Sequence, residues 1–322
     1  MASYTNFIGI DIGKFNFVIA VYGSNTTSEY ENSNSGIKLF LKNYKDKLKN
    51  SLSILETTGG YEAGLIKTLH MKKYAVHRAN TRKVKNFIIS HGNNAKTDSL
   101  DAKALARYGF ERHSLLELYT PPAQNLQDLY ELAGRRRDLK QILVAEKNRL
   151  QAPGNHKIVC KTIAGHIDYL VKAIGDISER INDIIAADKG LSVKKEALKT
   201  IPGIGDIIAS EILILMPELG TMTGKQAASL AGVAPRSNDS GKYKGYRSVA
   251  NGRDIIKPVL FMAAMSARNS HSDLKAFYES LISCGKVKMV ALTALMRKLI
   301  VRANAKLRDL NFSLKNEANM AT

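Results

Sequence analysis

Four carboxylates in the first third of the chain have the type and spacing for phosphodiester chemistry. Asp11 and Glu56 each stand at the end of a short apolar run, and Asp98 and Asp101 lie where a helical pattern begins. The i, i+3 spacing puts Asp98 and Asp101 on one helical face, a turn apart. If the two runs are neighbouring strands and the helix crosses their carboxyl ends, all four carboxylates converge. Such a cluster repels itself; two divalent cations about 4 Å apart would neutralise it and clamp the attacking and leaving oxygens of a phosphodiester. Carboxylate oxygens are hard ligands, which points to Mg2+, with Mn2+ as a substitute. Taken singly, each residue also has an ordinary explanation. Asp98 and Asp101 complement a helix dipole, Asp11 before Gly13 suits a turn, and Glu56 suits the approach to the next helix.

The elements needed to position these groups can be read from the pattern. Residues 7–12 and 15–22 are Ile-, Val- and Phe-rich runs separated by Gly13-Lys14, the pattern of a β-hairpin. Ser53 to Leu55 form a third strand leading into Glu56, followed by the loop T-T-G-G and a helical run from Tyr61 to His70. Tyr74 to His77 reads as a strand and Thr81 to Ser90 as a helix; after a Gly/Asn break at His91 to Asn94, a capped helix runs from Thr97 to Tyr108. A hairpin followed by alternating helices and strands makes an α/β domain. The order of the acidic residues, at two strand ends and on a late helix, matches a ribonuclease-H-like nuclease core. The opening G-I-D-I-G-K at 9–14 also resembles the first phosphate loop of actin-like sugar kinases, but residues 201–322 lack the second phosphate loop such a kinase needs.

Pro121-Pro122 punctuates the chain, and the strand signals stop there. Residues 124–150 read as one polar helix. Beyond the Pro153-Gly154 break, Ile163, Ile167, Leu170, Ile174, Ile177, Ile181 and Ile184 recur at alternating intervals of four and three, a heptad seam. The segment 124–186 therefore reads as an antiparallel hairpin or coiled coil. From Val193 the pattern is helical, at 193–200, 206–216, 223–231, 253–269, 272–283 and 286–309, interrupted by a loop of about twenty residues from Gly232 to Gly252, a length that is often functional.

Two more signals lie in this half. I-P-G-I-G at 201–205 between short helices looks like a helix-hairpin-helix, in which Gly203 and Gly205 admit a phosphate to a helix N-terminus; a tight turn packed in a core is the other reading. Ser240-Gly241 stands among Arg236, Lys242, Lys244, Arg247 and Arg253. A serine so placed has the chemistry of a nucleophile toward a phosphodiester, with the cations stabilising the phosphorane, although by composition alone Ser-Gly is a turn. None of the seven histidines has metal-ligand or triad spacing.

Composition narrows the partner. Lys and Arg number 48 against 29 Asp and Glu, a net charge of +19. The excess is +8 in residues 1–110, +3 in 111–200 and +8 in 201–322, so two basic regions flank a balanced middle. Such a balance points to a polyanion. With no apolar run of membrane length and no signal pattern, the expectation is a cytoplasmic protein. Cys160 and Cys284 form no zinc or disulfide framework.

Together the motifs resemble, over essentially the whole chain, the bacterial insertion-sequence transposases of the one-ten family, the DEDD recombinases of the Piv and MooV type. The matching segments are G-I-D-I-G-K at 9–14, E-T-T-G-G-Y at 56–61, N-T-R-K-V-K-N-F at 80–87, K-T-D-S-L-D-A-K-A-L-A at 96–106, P-G-I-G at 202–205, L-A-G-V-A-P-R at 230–236, S-G-K-Y at 240–243 and G-R-D-I-I-K-P-V-L-F-M-A-A at 252–264. The resemblance implies a RuvC-like DEDD domain over 1–118, a helical hairpin or coiled coil over 119–192, and an all-α transposase domain over 193–322. It implies that Asp11, Glu56, Asp98 and Asp101 bind Mg2+ and that Ser240 is the catalytic serine. It further implies a homo-oligomer, dimer or tetramer, with composite sites, acting on donor and target DNA with a structured RNA from the element, in the bacterial cytoplasm at the nucleoid. A RuvC-like nuclease using water as nucleophile and a non-catalytic nucleic-acid-binding protein are the alternative readings.

Overall fold

The computed structural model describes residues 4–92 and 97–320, the last seven of these for the backbone alone, so Asn93, Asn94 and Lys96 of the expected break and motif lie outside the described residues. The chain divides into two units, 1–122 and 123–322.

In the first unit, β1 (Asn6–Ile12), β2 (Asn16–Val21) and β3 (Thr27–Glu31) form a meander, followed by helices α1 (Asn34–Asn43) and α2 (Lys45–Leu48). Then come β4 (Ser51–Glu56), α3 (Ala63–Met71), β5 (Ala75–Ala79), α4 (Thr81–Ser90) and α5 (Asp98–Arg112). The sheet order is β3-β2-β1-β4-β5, antiparallel through the meander and parallel from β1 to β4 to β5. The central strands are buried on both faces, and they read as continuous apolar runs for that reason. One face packs Phe17, Ile19, Phe40 and Leu65; Phe7, Ile54, Phe87 and Leu105 gather on the other. Strand β3, α1 and α2 have no counterpart in the sequence reading. T-S-E-Y-E is a polar edge strand with little of the apolar patterning by which strands are recognised.

Helix α5 lies directly on β1. A Cβ on Gly9 would stand 2.0 Å from the Ala102 carbonyl oxygen and 2.3 Å from the Ala106 nitrogen, so only glycine permits this approach. At the other end of the helix, Phe110 packs edge-on to Phe7 and stacks on Tyr22. The helix therefore runs back obliquely across the sheet, and Ser99 in its first turn lies 3.3 Å from Thr27 at the start of β3. Thr97 caps that turn by accepting from the Leu100 N–H.

The second unit opens with α6 (Gln124–Gln151) and α7 (Lys157–Ala187), the expected hairpin, about 42 and 46 Å long. Every residue of the heptad seam is buried or half-buried. Leu129, Ala133, Ile181 and Ile185 share one core with the helices that follow. These are α8 (Lys189–Lys199), α9 (Asp206–Leu215) and α10 (Gly224–Leu230) and, after a ribbon, α11 (Lys257–Ala267), α12 (Asp273–Ser283) and α13 (Lys288–Met320). A buried ion pair, Arg136 to Glu211 at 2.7 Å, joins α6 to α9, and Arg136 also donates to Ser178 on α7.

The loop from Gly232 to Gly252, expected without structure inside an otherwise helical region, holds four short strands: β6 (Pro235–Arg236), β7 (Asp239–Ser240), β8 (Tyr243–Lys244) and β9 (Ser248–Val249). β6 pairs with β9 and β7 with β8, both antiparallel. Two-residue strands are too short for an alternating pattern to register, so the sequence reads as loop.

Gly9→Ala should lower the stability of the first unit by about 3 kcal/mol, because the obstruction is backbone and cannot turn aside. Gly165→Ala, on the exposed face of α7 with nothing near its Cβ, should instead stabilise by up to about 1 kcal/mol. Urea unfolding of the two variants checks both signs.

Candidate active site

The register places two of the four carboxylates side by side. Gly9 pairs with Ile54 and Ile10 with Leu55; one step further, Asp11 stands beside Glu56 on strands about 4.8 Å apart. Side chains alternate along a strand, so Asp11 shares the face of Gly9, and Glu56 the face of Ile54. That face is the one α5 covers, since Gly9 meets Ala102 and Gly109 meets Ile54. Asp98 and Asp101 lie in the first turn of α5 over that same face, where Ser99 between them stands 3.3 Å from Thr27 of β3. Asp11, Glu56 and Asp101 are half-buried and Asp98 is exposed.

This set of hard oxygen donors suits a divalent cation. Among the described residues, however, no group of three or more His, Cys, Asp or Glu side chains is disposed to hold a metal ion. The carboxylates share one edge without closing into a ligand set.

A fifth carboxylate at this edge escaped the sequence reading. Glu62 is only 1% exposed. One of its oxygens accepts from the Thr58 N–H at 3.2 Å, the Thr58 hydroxyl at 3.3 Å and the Gly60 N–H at 3.0 Å; the other accepts from Arg78 of β5 at 2.6 Å. It thus gathers the loop that leaves Glu56, including Gly59 and Gly60, which both have positive φ, and ties it to the neighbouring strand. Burial alone would raise this carboxyl, but the backbone N–H groups and Arg78 outweigh burial and hold it below its ordinary value. The available signal was a second acid six residues after Glu56, and it passes as an ordinary acid at a helix start.

In the second unit Ser240 is exposed at the end of β7, paired with Tyr243 across the two-residue turn Gly241-Lys242. Gly241 has φ +56, which such hairpin turns require. Arg236, Lys242, Lys244 and Arg247 are exposed along the same ribbon, and among the described residues no carboxylate pairs with them. Arg253, expected among these cations, points elsewhere. Its guanidinium binds both oxygens of Glu218 and the Leu215 carbonyl, fixing the end of α9.

The P-G-I-G turn also separates its glycines. Gly203, at φ +89, lies against α11, where a Cβ would stand 2.5 Å from the Ala263 oxygen, so its missing side chain serves helix packing. Gly205 is exposed and caps α9 through its backbone alone. Asp206 beside it pairs with Lys195 and Lys199, which lower its pKa. Among the described residues no helix is long and apolar enough to cross a membrane.

Comparisons with known proteins agree with one another. Residues 8–153 match the model of DEDD transposases of the IS110 type, and residues 195–279 match that of the transposase IS116/IS110/IS902 family. The chain is also 27% identical over 312 residues to the pilin gene-inverting proteins of Moraxella lacunata and Moraxella bovis, covering 94% of this chain and 96% of each relative.

Glu62→Gln removes the charge that holds Arg78 and the loop, and should cost about 1–2 kcal/mol at neutral pH. Because the folded-state pKa of Glu62 lies below its unfolded value, the wild-type advantage is complete above that unfolded value and disappears as the pH falls through the folded one. Urea midpoints of the two proteins at neutral pH and near pH 3 check this; a pH-independent gap contradicts it.

Proposed function

Because the chain belongs to the IS110 family of insertion-sequence transposases, and is thus a DNA recombinase enzyme, we propose that its carboxylate edge and its serine ribbon act together on one DNA phosphate. The observation that carries this reading is the placement of Asp11 beside Glu56 at the carboxyl ends of adjacent parallel strands, on the face where α5 presents Asp98 and Asp101. The strand order, with a meander and then two parallel strands, supports a ribonuclease-H-like, RuvC-like domain over 1–118. The hairpin over 119–192 would hold a homo-oligomer together, and residues 193–322 would form the transposase domain.

In this reading Asp11, Glu56, Asp98 and Asp101 would hold Mg2+, which would supply charge neutralisation and polarise phosphate oxygens. The Ser240 Oγ attacks a DNA phosphorus. The Oγ–P bond forms as the serine proton departs, the P–O bond to one deoxyribose breaks, and the freed hydroxyl leaves protonated. A hydroxyl of the second strand then attacks the same phosphorus, and serine regains its proton. The number of phosphodiester bonds is conserved, so no nucleotide hydrolysis is required. Arg236, Lys242 and Lys244 stand on the ribbon to offset charge on the phosphorane. Gly205, at the start of α9, offers backbone amides to a phosphate. An RNA encoded by the element supplies target choice by base pairing, which fits a basic protein that reads DNA mainly through its backbone.

Asp11→Asn and Asp101→Asn should each lower recombination between element-end and target DNA by at least about a thousandfold while leaving DNA affinity within about twofold. Gel assays of joined products and of binding, with Mg2+ and the flanking non-coding RNA present, check this. Recombination retained by either variant removes the carboxylates from the mechanism.

A further inference from the structure

The second unit contains a cavity of about 710 Å³ between the ribbon, α12 and α13. The reaction as described leaves this cavity unused. Its walls are largely apolar: Tyr246 and Val249 from the ribbon, Phe277 from α12, and Val290 and Ala294 from α13. Tyr246 is 79% exposed, an unusual setting for a large ring with nothing to cover it. Three cations line the same space, Arg247, Arg297 and Lys298. Lys298 is committed, with its Nζ 4.2 Å from the Phe277 ring centre and 3.7 Å from Asp273. Arg247 and Arg297 are exposed, and among the described residues neither is paired with a carboxylate.

The ribbon is built to present two of these groups. Arg236 pairs with Ser248, and beyond that pair the Gly245 N–H donates to the Asn238 carbonyl at 3.1 Å. Between the two links, Tyr246 and Arg247 stand opposite the single residue Ser237, the arrangement of a β-bulge, which re-aims side chains. Gly245 makes room for it, since a Cβ there would lie 2.2 Å from the Asn238 oxygen. The same two strands end at the Ser240–Tyr243 pair. From the base pair of the ribbon to Ser240 is four residues, about 13 Å.

We propose that this cavity receives an unpaired nucleobase of the nucleic-acid substrate, stacked on Tyr246, with the adjoining phosphates held by Arg247 and Arg297. The inference rests on the recombinase reading for the identity of the polyanion. An apolar slot with an exposed aromatic ring and unpaired cations at its mouth complements a base on its phosphodiester, whose flat face is apolar and whose backbone is anionic. The length of the ribbon places that base within a few nucleotides of the phosphate that Ser240 attacks. A base drawn out of the stack there would fix the register of the strand during exchange, as enzymes that extrude a base do.

The test uses the full chain and two fluorescent single strands of equal length and charge, oligothymidylate and an oligomer abasic at its interior positions, in anisotropy titrations. Wild type should bind the thymidylate about tenfold more tightly. Tyr246→Ala and Ala294→Trp should bring that preference to within about twofold of unity and leave affinity for the abasic strand unchanged. Arg297→Ala should weaken both strands alike. Equal wild-type affinity for the two strands, or a preference that survives both Tyr246→Ala and Ala294→Trp, overturns the proposal. So does a change in oligomeric mass on light scattering for Ala294→Trp with the preference intact, which would assign the slot to a second copy of the chain. Carboxylate-dependent recombination without base preference sinks the slot alone, whereas base preference without recombination sinks the recombinase reading alone.

Discussion

The contact between α5 and β1 sets the geometry of the whole carboxylate edge. Backbone lies against backbone there because Gly9 has no side chain, with the Ala102 carbonyl and Ala106 N–H occupying the space a Cβ would need. Two consequences follow from one missing atom. The helix cannot slide along the strand without leaving that gap, so its first turn is held over the sheet face that Asp11 shares. The alternation of strand side chains then puts Asp11, two residues from Gly9, on the face the helix covers. Parallel pairing with β4 adds Glu56 from the other side, and the Glu62 carboxylate fixes the loop beyond it. The acidic edge is thus a product of packing.

The second unit is organised around a different constraint. Arg136 and Glu211 are both nearly out of water, and each needs the other to offset the loss of solvation. Their pairing fixes the base of the long hairpin against α9, the helix that follows the P-G-I-G turn. Gly203 brings that turn against α11, and Arg253 ties the far end of α9 through Glu218. From this frame the ribbon carrying Ser240 projects with its cations exposed. Charges inside the unit are paired, while Arg236, Lys242, Lys244 and Arg247 on the ribbon meet no carboxylate among the described residues.

Much of this arrangement could be read before the fold was known. The apolar runs at 7–12 and 15–22 became β1 and β2, the heptad seam became the buried stripe of α7, and the acidic residues fell at strand ends and on one helical turn. Strand β3 stayed hidden because an edge strand need not be apolar. The ribbon was missed because pairs of two residues carry no period. The separate roles of Gly203 and Gly205, and the commitment of Arg253, depend on which helix lies opposite, and nothing local to either motif encodes that. Glu62 illustrates the same limit: its partner Arg78 lies sixteen residues on, in strand β5. Ser240 is the opposite case. Its neighbourhood in the sequence reads as a turn, its neighbourhood in the structure is a turn, and the nucleophile role proposed for it rests on the resemblance to the family.

The central claim is that Ser240 becomes covalently bound to DNA. Its most direct test is mass spectrometry of peptides from the protein after reaction with element-end DNA, Mg2+ and the flanking RNA, followed by nuclease trimming. The account predicts a nucleotide phosphate attached to the peptide spanning Ser240, lost in Ser240→Ala. Joined DNA products without any such attachment, or with the nucleotide on another residue, would contradict it.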